Sequence, residues 1–455
     1  MKKCFLLITC LLMLLGFPVQ TFATSSQTSS HPVSSLSKTA PEEYPVLKKA
    51  KRPEQVGFSS RQLRKVDQMI QNDIKAGFPG AALIIIKDGK IVHQKAYGYR
   101  QKYDGTTELK SYKKMKKDTL FDLASNTKMY ATNYALQKLV YEKKLDVNEK
   151  IQTILPDFQD EPDAKVTGKD QLRVKDLLTH SAGLPSSVLF YSKESAGSFY
   201  SQDRKTTMKW LPKVPLQYKP GTQHIYSDID YMLLGMIIEK KTGMPLDQYV
   251  ESTIYRPLGL KHTMFNPLQK GFKPKHFAAT ERLGNSRDGV IDFENIRRYT
   301  LLGEVHDEKA YYSMAGISGH AGLFSNTSDM AVLLQLMLNK GGYGKTTIFD
   351  QASIDLFTAS SDTNPTYGLG WRKNGHTDME WMFGKYASNE AYGHTGWTGT
   401  MTLIDPKHNL GVVLLTNKKH SPVVSPETNP NQFEGDLFPT GTYGSIMTAI
   451  YESFK

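Results

Sequence analysis

The sequence predicts a mixed α/β (α+β) fold, an antiparallel sheet built from both ends of the chain, flanked by helices, with a mainly helical region inserted between. Two apolar runs near residues 81–97 are joined by a hairpin signal, and a second apolar pair lies near 399–416. Between these two pairs the apolar residues recur mainly at helical spacing.

The elements follow in order. Ser59-Ser60 is a natural helix cap, and Leu63, Val66, Met69, Ile70 and Ile74 then fall on one helical face. Gly77-Phe78-Pro79-Gly80 ends that helix. Two strands, 81–86 and 91–97, flank Lys87-Asp88-Gly89-Lys90, whose Asp-Gly pair suits a two-residue turn. A helix is expected after Ser125, with Tyr134, Leu136, Leu139 and Val140 in the core. Another should follow Tyr226, carrying Met232, Leu233, Met236 and Ile237, and a third spans about 329–339 with Met330, Leu333, Leu334 and Met337. Strands are expected at 368–371, 399–404 and 411–416, the last two joined through Asp405-Pro406 and Asn409-Leu410-Gly411. Ile446, Ala449, Ile450 and Phe454 outline a final amphipathic helix that packs on the sheet. The expected organisation is a flexible linker over 24–55 and one domain over 56–455. Its sheet part covers about 56–124 and 340–455, and its helical part about 125–339.

The first residues form a separate unit. Lys2 and Lys3 precede an apolar run from Cys4 to Val19, and Thr21-Phe22-Ala23 offers a small residue for cleavage. The run is shorter than the roughly 20 apolar residues of a spanning helix. Residues 1–23 are therefore a signal peptide or, uncleaved, an anchor, and the expected location is the periplasm, free or held at the inner membrane. With 39% apolar residues and a mean hydropathy of -0.43, the remainder is not a polytopic membrane protein. Both cysteines, Cys4 and Cys10, lie in the leading segment, so a mature chain has no disulfide, thiol nucleophile or thiolate metal site. The net charge of +12 falls to +10 once Lys2 and Lys3 are removed. Basic runs at 48–52 and 113–117 read as solvated loops, and anionic cell wall or lipid headgroups suit them better than nucleic acid.

Ser125-Asn126-Thr127-Lys128 puts a serine and a lysine one helical turn apart, where the amine reaches the hydroxyl. A serine hydroxyl needs a base before it attacks a carbonyl. Ser35-Lys38 and Ser111-Lys114 share the spacing, so context has to choose among them. Two further clusters supply it. Tyr226-Ser227-Asp228 offers a tyrosine as proton carrier, and His394-Thr395-Gly396-Trp397 offers glycine-rich backbone beside a strand, suited to holding a substrate carbonyl.

Together the three clusters resemble the serine beta-lactamase and penicillin-binding-protein superfamily, and most closely its class C-type branch. The stretches 122–132, 176–184, 224–235, 254–260, 305–309 and 319–325 narrow the resemblance to YfeW-type D-alanyl-D-alanine carboxypeptidases, also called penicillin-binding protein 4B. The resemblance implies a beta-lactamase/transpeptidase-like fold with no cofactor and no metal. It makes Ser125 the acyl-forming nucleophile, with Lys128 and Tyr226 sharing the base and acid roles. Asp228, His394, Thr395, Gly396 and Trp397 would bind substrate, the amides of Ser125 and Trp397 forming the oxyanion hole. The implied ligands are peptidoglycan peptides or beta-lactams. The implied reaction is removal of a terminal D-alanine. An esterase or weak beta-lactamase, or a low-turnover peptidoglycan-binding module, are the alternatives.

Two residues depart from the wider pattern. Asp228 stands where asparagine is usual, and an ionised carboxylate either accepts from substrate or pairs with Lys128 and keeps it charged. His394 replaces a permanently charged lysine, so its help with a substrate carboxylate is expected to depend on pH. His306, Asp307 and Ser318 imitate a triad, but Gly316-Ile317-Ser318-Gly319-His320 lacks the last glycine of a nucleophile elbow; they are expected to pack or order a loop near the site. Gly344-Lys345-Thr346 lacks the first glycine of a phosphate loop.

Overall fold

The computed structural model describes residues 43–361, 364–375 and 377–454. The expected signal segment and the first part of the linker lie outside them. Strands β1 (Lys48–Lys49), β2 (Gly80–Lys87), β3 (Lys90–Asp104) and β4 (Thr107–Lys114) come from one end of the chain. A small sheet joins β5 (Phe121–Asp122), β6 (Met264–Phe265) and β7 (Leu323–Ser325). The other end supplies β8 (Arg372–Lys373), β9 (Tyr392–Gly396), β10 (Thr400–Asp405) and β11 (Leu410–Thr416). The main sheet runs β1-β3-β2-β11-β10-β9-β8, with β4 paired to β3. Among the described residues of this sheet, only β1 and β3 pair in parallel. The two ends meet where β2 lies against β11, from Ala81 opposite Thr416 to Lys87 opposite Leu410.

Helices α1 (Ser60–Lys75), α2 (Tyr134–Tyr141), α3 (Asp228–Thr242), α4 (Thr327–Leu338) and α5 (Gly444–Glu452) place the core. Leu83 and Ile85 join Leu63, Val66, Ile70, Ile446 and Ile450 from α1 and α5, while Ile84 and Ile86 join Leu333 and Leu334 of α4. Being covered on both faces explains why 81–86 is continuously apolar and does not alternate. Each buried Leu or Ile contributes roughly 1.5–3 kcal/mol relative to exposure.

Four expectations need correction. The linker ends before residue 55: Tyr44 N–H donates to the Gly344 carbonyl at 2.7 Å, and Lys48 and Lys49 pair with Lys90 and Ile91. Those contacts use backbone groups, which composition does not report. The basic run at 113–117 is partly strand, because the hairpin continues through Asp104 into β4. The strand expected at 368–371 is a turn closed by Gly368 N–H on the Trp371 carbonyl at 2.9 Å, and pairing starts at Arg372. Finally, α4 covers the sheet, so the helical part stops short of 339.

Candidate active site

Ser125 lies in a short 3-10 turn, Ala124–Asn126, directly after β5. Ala124 has φ 46°, a left-handed conformation that costs a residue with a Cβ about 1 kcal/mol or more. Asp122 holds it there. One carboxylate oxygen accepts from Ala124 N–H at 2.8 Å and the other from His306 N–H at 2.6 Å. The next turn is π-helical, Lys128–Asn133, and is pinned by buried polar side chains. Thr132 Oγ1 donates to the Gly319 carbonyl at 2.6 Å, and Asn133 Nδ2 to the Leu369 carbonyl at 2.8 Å.

Lys128 points its fully buried amine back at Ser125. Its Nζ lies 3.0 Å from Ser125 Oγ, 2.8 Å from Asp228 Oδ1 and 3.2 Å from the His320 carbonyl, one acceptor for each ammonium proton. Of the other two serine–lysine pairs, Ser111 and Lys114 are exposed on β4 without this setting, and Ser35-Lys38 lies outside the described residues. Burial works against the Lys128 charge, but Asp228 and Tyr226 outweigh it and hold the amine above the ordinary lysine range. The Tyr226 ring sits 4.8 Å from the same Nζ and is tilted against the rings of His180 and His394.

Asp228 opens α3, after Ser227, whose Oγ caps the helix by accepting from Asp230 N–H at 3.2 Å. Its second oxygen meets Lys309 Nζ at 3.2 Å. Burial would raise its pKa, yet Lys128 and Lys309 press it well below the usual carboxylate range. Of the two roles open to Asp228, pairing with Lys128 is the one realised.

Thr398 and Thr400 lace the nucleophile turn to the sheet, donating to the Asp122 carbonyl at 2.7 Å and the Leu123 carbonyl at 2.9 Å. Gly396 has to be glycine, since a Cβ there would lie 2.3 Å from the Leu123 carbonyl oxygen. Ser125, Tyr226, His394, Thr395, Gly396 and Trp397 therefore line one cleft of about 480 Å³. This closeness suits the expected oxyanion pair, Ser125 and Trp397.

The pH-dependent charge expected of His394 is suppressed near neutrality. Burial first, then the charges of Arg372 and Lys128, keep it well below the ordinary histidine range. Its Nδ1 is 2.7 Å from the Thr395 carbonyl, which can only accept, so the proton sits on Nδ1. Nε2 is then a buried acceptor without a partner. The cation at this position is Arg372, which sequence reasoning missed. It pairs with Gly393 across β8 and β9, lines the cleft, and its buried Nε has no hydrogen-bond partner. No ion pair engages it among the described residues. The only local signal was its place one residue beyond the glycine-rich stretch ending at Trp371.

The triad imitation orders a loop near the site, as its sequence reading expected, with His320 and not His306 as the histidine between Ser318 and Asp307. Ser318 Oγ meets His320 Nδ1 at 2.8 Å, and His320 Nε2 meets Asp307 Oδ1 at 2.8 Å, while His306 turns to Glu281. Ser318, His320, His306 and Glu281 are buried beside the site and Asp307 is partly so, and the group orders the loop under Lys128.

A serine held by a buried lysine, at the junction of an antiparallel sheet and a helical region, defines a serine hydrolase that works through an acyl-enzyme. The Beta-lactamase family model matches residues 66–437, and the chain belongs to that family. It is 64% identical over 398 residues to the N-acetylmuramyl-L-alanine amidase of Bacillus subtilis, covering 88% of this chain and 90% of that one. It is 57% identical over 413 residues to a Salmonella paratyphi B protein provisionally named a D-alanyl-D-alanine carboxypeptidase, covering 91% and 95%. A penicillin-binding protein homologue from Caulobacter crescentus shares the fold at 18% identity, with a TM-score of 0.61 over 87% of this chain and 99% of that one.

Proposed function

We propose that this chain cleaves the terminal D-alanine from cell-wall peptides ending in D-alanyl-D-alanine. Ser125 Oγ attacks the carbonyl carbon, the C–N bond to the leaving D-alanine breaks, and water then releases the shortened peptide from Ser125. The observation that carries this reading is the Lys128–Ser125 contact of 3.0 Å at a cleft where Lys418 and Lys419 pair with Asp436 and Arg372 has no ion pair among the described residues. A substrate ending in a free carboxylate needs such a cation, and a planar guanidinium holds one with two hydrogen bonds. The Salmonella relative's name agrees. Export by residues 1–23, to the periplasm or the outer side of the inner membrane, belongs to the same proposal, as do beta-lactams as ligands.

A second reading has its own support. The Bacillus relative is named for cutting the amide between the muramyl group and L-alanine. Trp381 and Trp397, 45% and 39% exposed, stand on the rim of the cleft as a sugar ring would need. Purified protein is incubated with a peptide ending in D-Ala-D-Ala and, separately, with an N-acetylmuramyl-L-alanyl peptide. Free D-alanine, lost in Ser125→Ala, supports the carboxypeptidase; a new peptide amino terminus, lost in the same variant, moves the assignment to the amidase. Labelling of Ser125 by a fluorescent penicillin or an ester, with neither product, leaves a weak beta-lactamase, an esterase or a binding module.

A further inference from the structure

Behind Ser125 the charges alternate. Lys128 Nζ lies 2.8 Å from Asp228 Oδ1, Asp228 Oδ2 lies 3.2 Å from Lys309 Nζ, and Lys309 Nζ lies 3.2 Å from Asp307 Oδ2. Asp307 Oδ1 then meets His320 Nε2 at 2.8 Å, and the His320 carbonyl returns to Lys128 Nζ at 3.2 Å, closing a ring. Gly319 makes the closure sterically possible, since a Cβ there would lie 2.0 Å from the Tyr231 carbonyl oxygen. Lys128 and Lys309 each open a π-helical turn, an arrangement frequent at functional sites. Asp228, Asp307 and His320 could group around a cation, and the Lys309 ammonium already bridges the two carboxylates.

An amine locked as an ammonium cannot take the proton of Ser125. Asp228 favours the ammonium, and anything that draws on Asp228 weakens that preference. Resting on the acyl-enzyme reading above, we propose that Lys309 is a positioning residue for acylation: by holding one oxygen of Asp228 it loosens that carboxylate's grip on Lys128, so that Lys128 can lose a proton to solvent and serve as base. The neutral amine takes the Ser125 proton as Oγ bonds to the carbonyl carbon. The ammonium so formed returns a proton to the leaving nitrogen as the C–N bond breaks. Asp307 sets how much of Lys309 is available to Asp228, so the two residues act on Lys128 with opposite signs.

Other groups also face these two lysines. Tyr226, Tyr231, Asp230, Tyr367, His180, His394 and His320 surround Lys128, with Arg372 on the cleft side. Glu308 and Tyr191 face Lys309. Lys309→Met or Lys309→Arg leaves all of them in place, and Asp307→Asn touches only His320, whose Nε2 keeps an amide oxygen in place of the carboxylate, so a shift of opposite sign in the two variants has its source in the alternating row.

The test follows Ser125 acylation by p-nitrophenyl acetate, read as the nitrophenolate burst across the neutral and alkaline range. In Lys309→Met, Asp228 faces Lys128 alone, and the acid limb should move to higher pH by about one unit or more, roughly a tenfold loss of rate on that limb. In Asp307→Asn, Lys309 faces Asp228 alone, and the limb should move to lower pH. Lys309→Arg keeps the charge and should bring the limb back toward wild type. A role confined to packing would lower the melting temperature of both variants without opposite shifts, and that result overturns the proposal. If Lys309→Met does not fold, an unmoved or alkaline limb in Asp307→Asn overturns it equally. Should wild-type Ser125 fail to acylate with ester, penicillin or peptide alike, the acyl-enzyme reading itself falls, a distinguishable outcome.

Discussion

Gly396→Ala is the sharpest probe of how the sheet presents substrate to Ser125. The added Cβ would sit 2.3 Å from both the Leu123 carbonyl oxygen and Thr400 Oγ1, where real Cβ contacts essentially never fall below 3.0 Å. The strand or the nucleophile turn must therefore give way by at least 0.7 Å, the gap between those two distances. The Leu123 side of the contact is backbone, and it already accepts from Thr400 Oγ1 at 2.9 Å, so relief also strains that bond. Overpacking of this kind costs about 1–3 kcal/mol of stability. The same movement separates the amides of Ser125 and Trp397, and a misplacement of about 1 Å costs up to roughly 100-fold in rate. The assay is stopped-flow acylation by a fluorescent penicillin beside a urea melt. A rate lower by roughly 10- to 100-fold in protein that still melts cooperatively is expected. A lowered melt with an unchanged rate would refute the idea that this strand edge and Ser125 act as one unit.

Three further outcomes are expected. Arg372→Ala should raise KM for a peptide with a free terminal carboxylate by roughly 10-fold or more, the worth of a charged hydrogen bond, and leave p-nitrophenyl acetate turnover nearly unchanged; equal losses on both would contradict the carboxylate role. Burial pulls His180 and His420 down to about 3, with Lys128 and Lys102 the next causes respectively, so each binds a proton in the unfolded chain that it refuses in the folded one. Stability is thus fully present above about pH 6.5 and falls toward pH 3; at pH 5 each histidine should cost about 2 kcal/mol, so urea midpoints should drop, and less so in His420→Asn. Trp371→Ala removes a fully buried ring packed edge-to-face with Tyr130 and Tyr392, with an expected loss of about 3–5 kcal/mol and a markedly lower urea midpoint.

What was legible in the sequence was local. The 60–75 helix, the Asp88-Gly89 hairpin and the 400–416 pair declare themselves through spacing and turn chemistry over a few residues. Ser125, Lys128, Tyr226 and His394 were legible through resemblance, because the motifs are short. The alternating row was not, since Asp228 meets Lys309 and Lys128 meets His320 only after long loops fold back. Arg372 escaped for a similar reason: its partner is Gly393 on a neighbouring strand, and its place after a glycine-rich stretch is a weak mark on its own. That burial takes His394 well below the ordinary histidine range was not legible, because the sequence shows the residue type without its surroundings.

The seam between β2 and β11 bears on how the molecule is made. Ala81 can find Thr416 only once the chain has been synthesised through Thr416, so the first hairpin must wait with an apolar edge uncovered. Topologies dominated by such distant pairings fold slowly and expose aggregation-prone intermediates. Truncation within the last strands would therefore take away more than a sheet edge: the N-terminal hairpin would lose its neighbour, and the turn bearing Ser125 would lose the strand against which it is held.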